Sequence, residues 1–141
     1  MKTVYHLRHD RAQIADVRAA TLSPKPFGLK ATHGLFGSDE WWQNIEAGVI
    51  PIVRFAGTIT RLYRTGMHNE SQSFQMRMDD GQTFDYTCVV AYRRDRKLYR
   101  VGARVELCFV SEELKQPVFM TTGEIYSTHS QTLIEARVGT A

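Results

Sequence analysis

The strongest constraint on the fold is an alternation of apolar and polar residues with a period of two, which dominates from Val53 to Val138. In the first such stretch, Val53, Phe55 and Ile59 alternate with Arg54, Thr58 and Thr60. The pattern recurs in the segments SFQMRM, TFDYTCVV, GARVELCFV and TLIEARV. Successive side chains of a strand point to opposite faces, so this period predicts strands with one buried face.

Five or six half-buried strands in about 90 residues predict an antiparallel sheet. The segment DDGQ separates two of them and predicts a hairpin turn, with Gly81 available for the left-handed position. A sheet of this length with a single apolar face is expected to curl and close on itself. We therefore predict a mainly β fold, a small antiparallel OB- or SH3-like barrel of five to six strands, preceded by two short helices.

The N-terminal third predicts those two helices. Asp10 is a good N-cap for a helix that runs to about Leu22, where prolines at positions 24 and 26 stop it. Ile14, Val17 and Leu22 would supply its apolar positions. The glycine- and proline-rich stretch that follows, up to position 37, predicts a surface loop.

The second predicted helix begins after Ser38 and ends near Gly48. Trp41, Trp42 and Ile45 fall within an arc of roughly 100°, which makes one compact apolar face. Two adjacent tryptophans can stack a ligand or can pack on a core, and the helical spacing favours packing. We predict one domain, in which residues 1–48 cap a barrel built from residues 49–141.

The segment GLFGSDEWW resembles a group of short bacterial proteins of unassigned function that carry GLFG-x-x-EWW before the first strand. The resemblance covers most of the chain. It implies no activity and no catalytic residues.

Composition is that of a soluble globular protein, with 43% hydrophobic and 23% charged residues. No run approaches the ~18 apolar residues of a membrane span, so no membrane association is expected. The N-terminus has charges where a signal peptide is apolar, and we expect a cytoplasmic location. Cys88 and Cys108 form no CxxC pair and are expected as free thiols.

Motifs of catalysis and cofactor binding are absent from the sequence. His6 and His9 are three apart in a strand-like segment and would face opposite ways, which disfavours a metal site. The chain has no nucleophile elbow, phosphate-binding loop or dinucleotide fingerprint. The acidic pairs at positions 79–80 and 112–113 are expected in solvated turns. We predict no catalytic residue, metal or cofactor, and favour a protein that is not an enzyme.

One segment is strongly basic. Residues 92–104, YRRDRKLYRVGAR, contain six basic residues and one acid, and their net charge of +5 exceeds the +3 of the whole chain. Interleaved cations and aromatic rings can neutralise phosphates and stack bases. The candidate binding residues are Tyr92, Arg93, Arg94, Arg96, Lys97, Tyr99 and Arg100.

Three functions remain open. The favoured one is a non-catalytic binding module that contacts single-stranded nucleic acid or another polyanion through the basic segment; an acidic protein is a further possible partner. The first alternative is a protein–protein interaction or regulatory module, and the second is an enzyme with an unrecognised site. The basic segment could also be an ordinary solvated loop whose arginines pair with Asp79, Asp80 or Glu106.

Overall fold

The computed structural model describes residues 1–140. Within this range the strands are β1 (Lys2–His6), β2 (Ile52–Thr65), β3 (Ser71–Met78), β4 (Thr83–Thr87), β5 (Arg104–Phe119) and β6 (Ile125–Gly139). The helices are α1 (Arg11–Leu22) and α2 (Asp39–Glu46), with short 3-10 helices at Leu7–His9 and Arg93–Leu98. The prediction of a mainly β chain with two short helices before the long strands is confirmed.

The strands form one antiparallel sheet in the order β1-β6-β5-β2-β3-β4. The predicted OB- or SH3-like barrel is not confirmed, because β1 and β4 stand at the two ends of this order and do not pair along residues 1–140. β4 ends at Thr87, short of the predicted Val90, and the chain then leaves the sheet. Beyond it, the amide of Ala91 donates a hydrogen bond of 2.8 Å to the carbonyl of Val4.

The chain divides into two compact units, and the first comprises residues 1–6, 54–108 and the segment from Ile134 onward. Its core keeps the period of two in part, at Ile134, Ala136 and Val138 of β6, whereas β5 buries four consecutive residues from Leu107 to Val110. The predicted hairpin between β3 and β4 is confirmed, with the Gly81 amide bonded to the Met78 carbonyl at 2.9 Å. Buried strand residues of this unit include Val4, Ile59, Phe74, Met76, Val105, Leu107, Ala136 and Val138.

The second unit comprises residues 7–53 and 109–133. As predicted, Asp10 caps α1, and its carboxylate accepts a hydrogen bond from the Gln13 amide at 3.1 Å. The predicted apolar face of α1 is wrong at Leu22, which is 72% exposed, and no residue of α1 is buried. The helix is held at its C-terminus, where the Lys115 ammonium donates to the carbonyls of Ala20 and Ser23 at 2.9 and 2.8 Å. Terminal carbonyls lack intrahelical partners and attract cations.

Part of the predicted surface loop pairs with β5. Leu29 forms an antiparallel bridge with Leu114, and the Lys30 amide donates to the Glu113 carbonyl at 3.0 Å. Leu29 is buried as a result. The loop therefore holds a defined position in the second unit although its sequence contains no strand pattern.

Candidate functional site

The tryptophan pair is part of the core of the second unit. Trp41 is fully buried and Trp42 is 8% exposed. The ring of Trp41 lies 4.7 Å from those of both Phe36 and Trp42, measured between centroids. Gly34 completes the packing, since a Cβ there would lie 2.9 Å from the Trp41 amide nitrogen. The GLFG-x-x-EWW segment thus packs on itself, and its indoles are not open to a stacking ligand.

Both indoles also make polar contacts. The Nε1–H of Trp41 donates to Oε1 of Glu112 at 3.0 Å, which satisfies the one polar atom of a buried indole. The guanidinium of Arg8 lies 4.1 Å from the centre of the Trp42 ring, within the range of a cation–π contact.

The basic segment forms a 3-10 helix over Arg93–Leu98 that is anchored by Tyr99. Tyr99 is 2% exposed, and its ring stacks on Phe74 at 5.4 Å between centroids. Its hydroxyl donates to the Val89 carbonyl at 2.7 Å, and burial raises its pKa. Tyr99 was predicted to stack on bases, but its buried ring is not accessible to a ligand.

A buried acid also fixes this helix. Asp95 is 4% exposed and accepts a hydrogen bond of 2.8 Å from the Lys2 ammonium. The Asp95 amide donates to the carbonyl of Tyr92. The basic side chains of this helix, by contrast, are exposed.

We call the exposed part of this segment the cationic surface: Tyr92, Arg93, Arg94, Arg96, Lys97 and Arg100. The guanidinium of Arg94 lies 5.0 Å from the centre of the Tyr92 ring. The alternative that arginines of the basic segment pair with acids elsewhere is confirmed at Arg104, which pairs with Asp79. None of the ion pairs within residues 1–140 includes a side chain of the cationic surface, and Glu106 pairs with Arg137. Six of the seven predicted residues thus lie together on one exposed turn, and the seventh, Tyr99, supports it from below.

The second unit contains a pocket of about 280 Å³. Three backbone segments and one further residue line it: residues 30–33, 49–51 and 111–113, together with His129. Ala31 has a φ of 56°, in the left-handed region that non-glycine residues rarely adopt. The pattern of the sequence does not reveal this pocket, because its walls come from remote segments with no shared motif.

Glu112 and Glu113 lie in β5 and not in the predicted turn, so their side chains have different surroundings. Glu113 is exposed and pairs with the Lys30 ammonium at 2.6 Å, a hydrogen bond that holds the pKa of its carboxyl below the usual range. Glu112 is half-buried. Burial raises the pKa of Glu112, and the hydrogen bond from Trp41 opposes part of this effect.

A second pocket, of about 260 Å³, lies in the first unit between charged residues of β2, β5 and β6, with Cys108 in its lining. Both cysteines are buried free thiols. Burial raises the pKa of Cys108, and raises that of Cys88 to about 11. Neither has the lowered pKa that marks a reactive thiol.

The turn between β5 and β6 exposes an apolar cluster, which we call the hairpin tip. Its turn is closed by the Met120 amide, which donates to the Glu124 carbonyl at 2.7 Å. Large contiguous apolar patches mark interaction surfaces, and the exposed side chains of this cluster are close to one another along the hairpin. The exposed side chains are Val118, Phe119, Met120, Ile125 and Tyr126.

Among residues 1–140 no three histidine, cysteine or acidic side chains are grouped to hold a metal ion. His6 instead lies 3.5 Å from the Glu135 carboxylate. No helix in the described part of the chain has the length and hydropathy to cross a membrane.

Comparison with known protein families identifies the family of this chain. The family model described as "Immunity protein RhsI2" matches residues 1–139. A search of curated proteins finds no match. The family match contradicts the prediction of a nucleic-acid-binding module of unknown function and favours its first alternative, a protein–protein interaction module. The burial of Tyr99 is consistent with this correction, since it removes one of the two predicted stacking rings.

Proposed function

The chain belongs to the RhsI2 immunity protein family, and from this premise we propose that it neutralises a partner toxin by binding it directly. The observation that carries the proposal is the extent of the match, which includes both helices and all six strands. Neutralisation requires a stable complex and no chemistry on the toxin. We place the encounter in the cytoplasm, where the buried thiols Cys88 and Cys108 would stay reduced.

The cationic surface is the proposed contact with the toxin. Arginine and tyrosine are enriched at the energetic centres of protein interfaces. The surface is held in shape before binding, because Tyr99 and Asp95 are buried beneath it, so little ordering cost is added on association. Its charge favours an acidic patch on the toxin, and attraction between the two would speed their encounter.

The experiment tests protection and binding together. The protein is co-expressed with its partner toxin domain, and growth is measured; the dissociation constant of the purified pair is measured by calorimetry. Replacing Arg93, Arg94 and Arg96 with glutamate places like charges against an acidic patch. We expect a loss of protection and a weakening of binding by about 100-fold or more.

A matched control carries the same change in net charge. Arg11, Arg64 and Arg77 are exposed and lie outside the cationic surface. Their replacement with glutamate should leave protection intact and binding within about fivefold of wild type. Equal losses in both triple variants would mean that only net charge matters. Absence of any complex with wild-type protein would overturn the proposed function itself.

The hairpin tip is a second candidate contact, favoured by its exposed apolar side chains. Replacing Phe119 and Tyr126 with serine removes two of them without opening a core. If this variant loses protection while the Arg93, Arg94 and Arg96 variant keeps it, the toxin binds the tip and not the cationic surface.

A further inference from the structure

The pocket of the second unit has the size of a site for one side chain. Its volume of about 280 Å³ lies just below the range of roughly 300–1,000 Å³ that is usual for drug-sized ligands. Val49, Ile50 and Pro51 give it one apolar wall. An apolar wall beside a polar floor suits a long side chain whose stem is aliphatic and whose end is charged.

The polar part of the pocket lining contains a carboxylate, that of Glu112, which lacks a charged partner. Glu112 accepts a hydrogen bond from the neutral indole of Trp41, and none of the ion pairs within residues 1–140 includes it. The nearest ammonium on the pocket lining, that of Lys30, pairs with Glu113 instead. A carboxylate drawn out of water needs a cation or several donors to offset its desolvation, and one neutral donor is not enough.

The other charged groups on the lining do not supply that cation. Lys30 and Glu113 neutralise each other, so Glu112 leaves the lining with a net charge of −1 when His33 and His129 are neutral. His129 is exposed, and its Nδ1 lies 2.8 Å from the hydroxyl of Thr128. Burial raises the pKa of Glu112, as expected for a carboxyl whose charge is poorly compensated.

Resting on the proposed function, we infer that this pocket receives the guanidinium or ammonium group of one arginine or lysine side chain of the toxin, with Glu112 as its counter-charge. The cation completes the hydrogen bonds of a carboxylate that Trp41 already holds in place. Its aliphatic stem lies along Val49 and Pro51. The toxin therefore meets the chain at two chemically distinct places, the cationic surface and an anionic pocket.

The first arm of the test uses the toxin. Glu112→Gln removes the charge but keeps an oxygen that accepts the Trp41 hydrogen bond. We expect it to weaken toxin binding by about 30-fold or more, the loss usual when one partner of a desolvated charge pair is removed. Glu46→Gln is the control, because this carboxylate of the same unit is exposed, is paired with Arg8 and lies outside the pocket lining; its binding should stay within about threefold of wild type.

The second arm uses n-butylguanidinium as a probe of the pocket alone. Nuclear magnetic resonance of the two indole N–H groups reports binding, since Trp41 contacts Glu112 and Trp42 serves as an internal reference. We expect a saturable shift of the Trp41 signal in wild type and none in Glu112→Gln.

The outcomes separate the inference from the function on which it rests. If wild type binds the toxin and Glu112→Gln binds it equally well, the inference is overturned and the proposed function stands. If wild type binds no toxin, the proposed function fails, and the probe then decides whether the pocket is a cation site. If the Trp41 signal of wild type does not move with the probe and Glu112→Gln binds the toxin as wild type does, the pocket is not a cation-binding site.

Discussion

The indole Nε1–H of Trp41 donates a hydrogen bond to Oε1 of Glu112 at 3.0 Å, and this bond joins α2 to β5 across 71 positions of sequence. The bond satisfies the polar atom of the buried indole. It also holds in place one carboxylate oxygen of Glu112, a residue that lines the pocket. A change at either residue should therefore be felt in both stability and binding.

Trp41→Ala should lower the free energy of unfolding by about 3–5 kcal/mol, the range for truncation of a large buried aromatic residue. Gln43→Ala, on the exposed side of the same helix, should change it by less than about 0.5 kcal/mol. Urea denaturation measures both.

Native wild-type protein should also show blue-shifted tryptophan emission and poor quenching by iodide, because both indoles are buried. Free quenching with an unchanged stability would contradict the burial of Trp41 in the core.

The raised pKa of Glu112 predicts a dependence of stability on pH. Because the folded state holds this proton more tightly than the unfolded state, stability falls as pH rises from the ordinary value of 4.5 through the folded pKa. Glu112→Gln has no such proton to lose. The difference in unfolding free energy, variant minus wild type, should therefore increase over this pH range.

Glu113→Gln provides the control of opposite sign. The Lys30 hydrogen bond lowers the pKa of Glu113, so this residue stabilises the fold above its ordinary pKa of 4.5 and loses that effect as pH falls. Its substitution should reduce stability at neutral pH and not at low pH. Denaturation curves at several pH values measure both variants, and the same sign for the two would refute the assignment of their surroundings.

Tyr99→Phe should destabilise the protein by about 0.5–1.5 kcal/mol, because it keeps the ring on Phe74 but removes the hydrogen bond to the partly buried Val89 carbonyl. Tyr92→Phe is the matched control at the other end of the segment, where the side chain is 61% exposed and stability should not change. Thermal denaturation compares the two. Equal effects would mean that Tyr99 does not anchor the cationic surface.

The sequence predicted the regular elements because their causes are local. The caps of α1 and α2 depend on Asp10 and Ser38 alone, and both bind the amide three positions on. The alternation at Ile134, Ala136 and Val138 of β6 likewise follows from the burial of one face of that strand. The apolar arc of Trp41 and Trp42 was sufficient to predict their burial.

What could not be predicted depends on remote partners. Leu29 pairs with Leu114, and Lys115 binds carbonyls at the end of α1. No periodic pattern in the sequence predicts either contact. Barrel closure was inferred from a single apolar face, but closure also requires the edge strands to reach each other, and β4 ends at Thr87. Basic charge beside tyrosine is shared by surfaces that bind nucleic acid and surfaces that bind acidic protein. Tyr92 and Tyr99 have the same basic neighbourhood in the sequence, and only the burial of Tyr99 in the structure distinguishes them.

The GLFG segment offers a test that separates steric packing from backbone strain. Gly34 and Gly48 both have positive φ, of 107° and 79°, but a Cβ at Gly34 would lie 2.9 Å from the Trp41 amide nitrogen, whereas one at Gly48 would contact nothing within 4 Å. Gly48→Ala should therefore lower the free energy of unfolding only through backbone strain, by about 1–2 kcal/mol. Gly34→Ala should lower it by the same strain and by a further ~1–3 kcal/mol of overpacking, because the added methyl group pushes the segment away from the start of α2. Urea denaturation at neutral pH measures the difference, and equal losses in the two variants would show that the segment yields without disturbing Trp41.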